Sequence, residues 1–525
     1  MASTLHPTRA PARTPRRAGR PTAPPRRLTR RSTGRRWRPA GAAVLLAGAA
    51  GVVTGQLMPL GPTSAGTALA VMATGAVLGA AGGRAVRSAW SVVPLAAVHL
   101  AALEIARSDL LLPTVHDLRP GSTWWLLVQL LGRGLHGVLL LLPMVLAARL
   151  TSRAGRGDAP ARHPRASTAT TGLVGVLVAV LAVLVALPAT TPPVRDADGQ
   201  VVPGSIATLD TVVLGGDPHT VMIRAADPDA PVLLYLSGGP GQSDLALARV
   251  LSEPWVDDVV FATFDQRGNG TSYPALLPTR DATLARAVAD VAELAEYLRA
   301  RFDEDKVILL GESWGTLLGV LTVQQRPDLF HAYLGSGQMV DVAETDRRIF
   351  RDLVAHARRT GDEQLAALTR RIGEPPYADE PWANAEVMAA YGYLYDPYTP
   401  PAGYRARGAA SGLDGFGLRG VEYTLTDKVD VLRGLVDTFS VLYPQIQDLD
   451  LRDDVPQLGV PVFVLDGAAE LDGRRDLALE WFDTLDAPSK RLVSFPDAAH
   501  AVAFEQADAV DLLLEREVLP LVGQG

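Results

Sequence analysis

The stretch LLGESWGTLLG, residues 309–319, places Ser313 between two glycines, directly after a short apolar run and before a helix-forming one. This pattern predicts a nucleophile elbow, a sharp turn from strand to helix that exposes the serine at the helix N-terminus. In a chain with 49 glycines, a simple Gly-rich turn is the alternative. The elbow hypothesis therefore requires a general base, an acid and an oxyanion hole elsewhere in the sequence.

The composition divides the chain into a basic beginning and an acidic remainder. Residues 1–40 contain twelve arginines and no acidic residue, whereas the chain is acidic beyond Val201. Because the basic segment is rich in Pro, Ala and Thr and precedes an apolar region, we interpret it as a disordered cytoplasmic tail beside anionic lipid rather than a nucleic-acid arm. The absence of cysteine excludes disulfides, thiolate metal ligands and a cysteine nucleophile.

Residues 41–190 are predicted to form a membrane region. Five apolar stretches each approach the length of about twenty residues that a helix needs to cross a bilayer. They lie at residues 41–60, 65–83, 88–107, 123–148 and 171–188. Arginines cluster before the first stretch, between the second and third, and between the fourth and fifth, and basic loops favour the cytoplasm. The sequence therefore predicts a multi-pass protein of the cell membrane with a cytoplasmic N-terminus and an extracytoplasmic part after residue 190.

Three polar residues within these apolar stretches need partners. We expect these residues to lie at similar depth on neighbouring helices: Glu104, Arg133 and His136. A charge buried at that depth requires an oppositely charged partner. We interpret them as a structural ion pair, with a transport or sensing role as the alternative.

Beyond a linker at residues 191–204, short strand-like apolar segments alternate with helical patterns. This alternation predicts an α/β fold with a mostly parallel central sheet flanked by helices. The rhythm stops over residues 341–455, which are largely helical. We therefore predict a helical cap inserted between two parts of the core, residues 205–340 and 456–525.

The elbow predicts that an acid and then a histidine follow Ser313 along the chain. His500, in SFPDAAHAVAFEQ after the last strand pattern, is the expected general base. The preceding strand pattern ends in FVLDGAAELDG, where Asp466, Glu470 and Asp472 compete for the role of the acid that holds the imidazole.

The stretch YLSGGPGQS, residues 235–243, provides the oxyanion side of the predicted site. Its paired glycines, Gly238 and Gly239, let the backbone approach a substrate carbonyl closely. One N–H near Gly239 and the N–H of Trp314 are expected to bind the developing oxyanion.

The stretch FDQRGNGTS, residues 264–272, follows another strand pattern. Asp265 and Arg267 within it are expected to tie the loops beside the site together through a bidentate pair. We assign this stretch a supporting role.

The motifs SGGPG, FDQRGNGTS and GESWGT, in that order, resemble the prolyl iminopeptidase-like (serine aminopeptidase) branch of the α/β-hydrolase superfamily. The resemblance covers about residues 205–340 and 456–515 and does not extend to the membrane region. It implies an α/β-hydrolase fold with a helical cap. It also implies an aminopeptidase that removes N-terminal proline or another small apolar residue.

The sequence departs from the branch at two positions. Ser237 stands where the branch usually has histidine, and the usual Gly-x-x-Asp turn reads GAAE, ending at Glu470. The resemblance therefore implies Glu470 as the triad acid, with Asp472 and Asp466 as alternatives. Enzymes of this kind also bind the substrate amino group through a cap carboxylate. Glu422 is a candidate for that role, with an ordinary surface or helix-cap glutamate as the alternative.

The leading hypothesis is a membrane-anchored, extracytoplasmic serine hydrolase, proline iminopeptidase-like, that acts on small peptides. The alternatives are an esterase or lipase-like hydrolase with the same triad, and a non-catalytic binding or sensor module on the same fold. The sequence shows no metal-ligand spacing, phosphate loop or dinucleotide fingerprint, so neither a metal site nor a cofactor is predicted. Nucleic acid is not an expected partner, and the sequence makes no prediction of oligomeric state.

Overall fold

A computed structural model describes residues 34–117, 124–154, 164–377, 380–411 and 417–523. Most of the predicted Arg-rich tail, residues 1–33, lies outside the described residues. The first part of the chain is helical. Its helices are α1 Gly34–Leu57, α2 Ala65–Val86, α3 Val92–Ala106, α4 Pro113–His116, α5 Trp125–Gln129, α6 Leu135–Ala154 and α7 Pro164–Ala186.

Five helical segments in the described part of the chain are long and apolar enough to cross a membrane. They are Arg38–Leu57, Ala65–Val86, Ala89–Ala106, Trp125–Ala154 and Arg165–Ala186. This agrees with the five apolar helices that hydropathy predicts.

The apolar helices pack closely through small residues. A Cβ built at Gly75 or Gly79 of α2 would lie 2.1 Å from a backbone oxygen of α6, so the two helices touch backbone to backbone. Arg133 donates from Nε and Nη2 to the two oxygens of Glu104, both at 2.9 Å, and forms the expected ion pair. His136 is not part of this pair and stacks on His99 instead.

The second part of the chain is built on one eight-stranded sheet in the order β1-β2-β4-β3-β5-β6-β7-β8. The strands are β1 Ile206–Leu214, β2 Asp217–Ala225, β3 Val232–Leu236, β4 Val260–Phe264, β5 Val307–Glu312, β6 Phe330–Ser336, β7 Val462–Gly467 and β8 Lys490–Phe495. β2 pairs antiparallel with β1 on one side and with β4 on the other. All the remaining neighbours in the sheet pair parallel. The predicted mostly parallel α/β sheet is therefore confirmed.

Helices cover both faces of this sheet, and β3, β4 and β5 are buried along their whole length, as apolar strands between two helical layers must be. The helices of the core are α8 Leu245–Leu251, α9 Leu284–Phe302, α10 Trp314–Gln325, α17 Asp472–Thr484, α18 Val502–Glu505 and α19 Ala507–Leu513. Between β6 and β7 the chain forms α11 Val342–Thr360, α12 Glu363–Ile372, α13 Glu380–Tyr395, α14 Ala402–Ser411, α15 Leu425–Leu442 and α16 Leu451–Asp454.

The parallel strands bring the predicted motifs to one edge of the sheet. β3, β5, β6, β7 and β8 all point the same way, so the loops at their carboxyl ends are neighbours. Ligands of open α/β sheets bind outside these carboxyl ends. The site is therefore expected at this edge, beneath the helices inserted between β6 and β7.

Candidate active site

Ser313 occupies the sharp turn between β5 and α10. Its backbone has φ 52° and ψ −120°, a strained conformation for a residue with a side chain. The turn fits only small neighbours, since a Cβ at Gly315 would lie 2.2 Å from the carbonyl oxygen of Leu236. The Ser313 N–H donates to the carbonyl of Ser336 at 3.0 Å and fixes the turn to β6. These contacts present Ser313 at the N-terminus of α10.

His500 lies in the loop after β8, and its Nδ1 is hydrogen-bonded to Glu470 Oε2. Glu470 Oε1 accepts hydrogen bonds from the N–H of Leu471 at 2.7 Å and from the Tyr395 hydroxyl at 2.8 Å. Burial opposes ionisation of Glu470, but the charges of His500 and Arg474 outweigh it and lower the pKa of Glu470 to about 2. Glu470 is therefore ionised at neutral pH and held in one orientation.

The two competing carboxylates have other surroundings. Asp466 pairs with Nε and Nη2 of Arg475 at 2.7 and 2.8 Å and accepts from Ser494 Oγ at 3.0 Å. Asp472 is exposed at the first residue of α17. Of the three acids considered from the sequence, the structure brings Glu470 against the imidazole.

Ser313 and His500 both lie close to the end of β6. Gly337 follows Ser336 there, and a Cβ built on it would lie 2.8 Å from His500 Cε1. The Ser313 hydroxyl donates to Met339 Sδ at 3.8 Å, and among the described residues no hydrogen bond joins it to His500. Hydrogen bonds between catalytic groups are often long in an unliganded enzyme and shorten with substrate bound.

The glycine-rich loop after β3 lies beside the elbow. Gly239 has φ 130°, and a Cβ there would lie 2.7 Å from the N–H nitrogen of Gly241, so only glycine fits. Gly238 is adjacent to the nucleophile, because a Cβ built on it would lie 3.5 Å from Ser313 Cβ. The loop therefore lines the side of the site where an oxyanion would form.

Gln266 joins this loop to the elbow. Its Nε2 donates to the Ser237 carbonyl at 3.0 Å, and its Oε1 accepts from the indole N–H of Trp314 at 2.8 Å. Trp314 is the first residue of α10, so its backbone N–H has no acceptor within the helix. Gln266 therefore links the glycine-rich loop to the first residue of α10.

The expected pair between Asp265 and Arg267 is wrong. Arg267 donates from Nε and Nη2 to Asp290 of α9 at 2.9 and 3.2 Å. Asp265 instead accepts from the N–H and the hydroxyl of Thr271, both at 2.8 Å. β4 ends at Phe264, and the loop beyond it directs the two side chains to different elements. Each still anchors the loop, but separately.

Glu422 is not a surface residue, so the surface alternative is also wrong. It is fully buried, and its Oε1 pairs with Arg249 of α8. Arg249 lies 173 residues earlier in the chain, so sequence patterns contained no sign of the pairing. The ion pair compensates the charge of Glu422, while its Oε2 has no hydrogen-bond partner among the described residues.

Three other carboxylates, which sequence reasoning missed, are buried near the end of the strand that precedes Ser313. Glu312 ends β5, and strand alternation turns its side chain to the sheet face that carries Tyr235. The Tyr235 hydroxyl donates to Asp244 Oδ2 at 3.1 Å. The ring of Phe504 packs edge-on against Tyr235, with centroids 5.0 Å apart, and brings the following residue, Glu505, to the same place.

These carboxylates have neutral neighbours. Glu312 Oε2 is buried without a hydrogen-bond partner in the part of the chain that the structure describes. Asp244 also accepts from Gln242 at 2.7 Å, and Glu505 accepts from the Tyr398 hydroxyl at 2.7 Å. Burial, with the charges of Asp244 and Glu505, raises the pKa of Glu312 well above its usual range. Among the described residues, no three His, Asp or Glu side chains are arranged to hold a metal ion.

The elbow motif itself, GES at residues 311–313, contained the one sequence indication of this cluster. A carboxylate at the last residue of a buried strand, one position before Ser313, has to be directed into the interior beside the site. Its two partners, Asp244 and Glu505, join it only through the fold.

Comparisons with known proteins identify a matching family model, similar sequences and a similar structure. Residues 231–382 match the family model described as alpha/beta hydrolase fold. The "Probable aminopeptidase YbaC" of Bacillus subtilis (strain 168) is 27% identical over 302 residues, which are 58% of this chain and 93% of that protein. A "Probable proline iminopeptidase" of Leptolyngbya boryana is 31% identical over 111 residues, 21% of this chain and 32% of that protein. The crystal structure of the proline iminopeptidase of Mycobacterium smegmatis is 19% identical, covers 60% of this chain and 98% of its own, and gives a TM-score of 0.42.

The sheet and the matching family model define the class of protein: this chain is an enzyme of the α/β-hydrolase superfamily. Within the superfamily its motifs and its aminopeptidase relatives are similar to the prolyl iminopeptidase-like branch. The five apolar helices precede the residues that the family model matches.

Proposed function

We propose that the chain is a membrane-anchored serine hydrolase, and specifically an aminopeptidase that removes a small apolar residue, such as proline, from the N-terminus of short peptides. The proposal is supported by two features close to the end of β6, the strained backbone of Ser313 and the hydrogen-bonded His500–Glu470 pair.

The site supports an acyl-enzyme mechanism. Ser313 Oγ attacks the scissile carbonyl carbon while His500 Nε2 accepts its proton and then passes it to the leaving amine. Glu470 holds the Nδ1 side of the imidazole and stabilises the imidazolium. The backbone N–H of Trp314 and an N–H near Gly239 bind the oxyanion. Water, deprotonated by the same imidazole, then releases the acyl group and restores the serine.

The buried carboxylates favour a substrate with a free amino group over a simple ester. A buried carboxylate is costly unless a cation or several donors compensate it. Glu312, Asp244 and Glu505 have no such cation within the described residues, whereas Glu422 has Arg249. In an aminopeptidase substrate the ammonium group is only two bonds from the scissile carbonyl carbon, so it has to bind close to Ser313. We therefore assign this cluster, rather than Glu422, to the substrate ammonium group.

This assignment predicts a selective defect in Glu312→Gln. The variant is expected to lower kcat/KM for prolyl-4-nitroanilide by about 10- to 100-fold, the usual cost of a lost charged hydrogen bond. It should leave kcat/KM for p-nitrophenyl acetate, which has no amino group, within about threefold.

Glu422→Gln is the matched control, because it removes a second buried carboxylate that is already paired. It is expected to leave the ratio of the two kcat/KM values unchanged. Equal loss on both substrates in Glu312→Gln would argue against an ammonium site. A wild-type enzyme that hydrolyses the acetate ester but no aminoacyl-anilide would favour the esterase alternative.

The arrangement of the apolar helices supports an extracytoplasmic hydrolase. The connections after α1 and α3 contact the hydrolase part, through Gly61 beside Arg433 and Thr114 beside Asp437. Each connection is followed by a span that leads back to the side of the membrane where the basic loops lie. Both connections therefore lie on the side opposite Arg84 and Arg87. With basic loops in the cytoplasm, the hydrolase part lies outside.

The orientation predicts opposite accessibility of two engineered cysteines in a chain that has none. Asp198→Cys, in the exposed linker, is expected to react with a membrane-impermeant maleimide in intact cells. Arg87→Cys, an exposed position between the spans Ala65–Val86 and Ala89–Ala106, should react only after the membrane is permeabilised. Labelling of Arg87→Cys alone in intact cells would reverse the proposed orientation.

A further inference from the structure

The helical membrane part and the hydrolase part share a buried polar interface centred on α15. Asp437 of this helix is fully buried. Its Oδ1 accepts from the N–H of Thr114 in α4 at 2.9 Å, and its Oδ2 accepts from the Thr114 hydroxyl at 2.5 Å. The Tyr273 hydroxyl also donates to Oδ2 at 2.5 Å. One carboxylate of the hydrolase part is thus held by the connection between two apolar helices.

A second contact lies one turn earlier on α15. Arg433 is fully buried and donates from Nε to the carbonyl of Leu131, next to α5, at 2.9 Å. Its Nη1 pairs with Asp430 at 2.7 Å, and its Nη2 lies 3.3 Å from a Cβ built on Gly61, after α1. The segment after α5 therefore bonds to this helix, and the connection after α1 lies against it.

The membrane side of this interface is itself fixed. Arg133 donates to the carbonyls of Thr114 at 3.1 Å and Val115 at 2.8 Å. The same guanidinium pairs with Glu104, whose Oε1 also accepts a hydrogen bond from Arg107 Nη2 at 2.7 Å. Thr114 consequently has little freedom to follow a displacement of Asp437.

The other side of α15 supports the glycine-rich loop of the active site. A Cβ built on Gly241 would lie 2.3 Å from the carbonyl oxygen of Gly434, and one on Gly434 would lie 2.8 Å from that of Gly241. Thr438 Oγ1 donates to the carbonyl of Gly268 at 2.5 Å. With backbone against backbone, α15 cannot shift without moving the loop that contains Gly239.

We propose that the membrane part completes the active site by holding α15, and through it the oxyanion loop, with Thr114 and Asp437 as positioning residues. The proposal rests on the proposed function for the role of that loop in catalysis. Oxyanion donors act over a narrow range of distances, about 2.7–3.1 Å, so a small displacement of the loop weakens transition-state binding more than substrate binding. The membrane helices then contribute to turnover as well as to anchoring.

The test compares two isosteric changes with one control in the full chain, purified in lipid nanodiscs. Thr114→Val and Asp437→Asn weaken the bond between the halves at α15. Trp382→Phe removes a different hydrogen bond between the two parts. Trp382 lies on α13, and its Nε1 donates to Asp117 Oδ2 at 2.8 Å. Turnover of prolyl-4-nitroanilide is expressed per active site titrated with a fluorophosphonate, and the unfolding temperature of each variant is measured alongside.

We expect Thr114→Val and Asp437→Asn to lower kcat by at least about tenfold with KM within about threefold, because the loss falls on the transition state. Trp382→Phe should keep kcat within about twofold of the wild type, even if its unfolding temperature falls as much as those of the two α15-contact variants. Unchanged kcat per active site in both α15-contact variants would overturn the proposal.

Hydrogen exchange gives a second readout that does not depend on activity. The amides of residues 236–243 are expected to exchange at least about tenfold faster in Thr114→Val and Asp437→Asn than in the wild type and in Trp382→Phe. Unchanged exchange there would overturn the proposal even if the wild type proved inactive. An inactive wild type with faster exchange in the variants would instead overturn the proposed function while leaving the coupling between α15 and the loop intact.

Discussion

Ser313→Ala is expected to lower kcat for aminoacyl-anilides by at least about 10³-fold and to abolish labelling by a fluorophosphonate. Alanine removes the attacking oxygen but keeps the Cβ, so the strained turn and its hydrogen bond to Ser336 remain. The unfolding temperature should therefore stay within a few degrees of the wild type. The measurement is turnover and labelling of the purified full-length chain in lipid nanodiscs.

Ser489→Ala is the control for this experiment. Ser489 is exposed just before β8, at the edge of the sheet opposite Ser313, and its loss should change neither turnover nor labelling. A folded Ser313→Ala variant that still hydrolyses substrate would exclude Ser313 as the nucleophile. A folded wild type that neither turns over substrate nor reacts with the probe would favour a binding or sensor role on the hydrolase fold.

The sheet and its class were accessible to sequence reasoning because the relevant signals are local. The apolar runs of β3, β4 and β5 and the glycines around Ser313 specify strands and a tight turn without reference to distant residues. The chain order of serine, acid and histidine then limited the base to His500.

The contacts that sequence reasoning missed depend on residues brought together only by the fold. The pair of Glu422 with Arg249 joins residues 173 positions apart, and Asp265 and Arg267 bond to Thr271 and Asp290 rather than to each other. The link between Thr114 and Asp437 joins residues 323 positions apart across two dissimilar parts of the chain. No local period encodes such a contact.

The contacts of the apolar helical part also affect the stability expected of a shorter fragment. A fragment that begins in the linker would expose Asp437 and Arg433, both fully buried in the full chain, together with the apolar residues around Tyr273. Exposing these apolar residues to water and losing the hydrogen bonds to Thr114 and Leu131 would destabilise the fragment. Activity of the full chain is therefore the appropriate reference for every variant.

Glu470→Gln is expected to lower kcat by about 10²- to 10⁴-fold, the range seen when the acid of a serine triad loses its charge. Glutamine keeps the size of the side chain but cannot stabilise an imidazolium, and its amide can hold the wrong imidazole tautomer. Asp472→Asn and Asp466→Asn are matched controls on the same segment, and each should keep kcat within about threefold. Loss of activity in either control with retention in Glu470→Gln would transfer the role to that aspartate.

The same variant has a signature in stability against pH. The pKa of Glu470 is lowered from 4.5 to about 2 in the folded protein, so its ionised form stabilises the fold at pH values above its unfolded pKa. That contribution is lost as the pH falls from about 4.5 towards 2, when the folded carboxylate takes up a proton. Glu470→Gln cannot titrate, so its free energy of unfolding should fall less steeply than that of the wild type across this interval. Urea unfolding of both proteins between pH 2 and pH 7 measures the difference, and parallel curves would show that Glu470 is not held as an ion against His500 and Arg474.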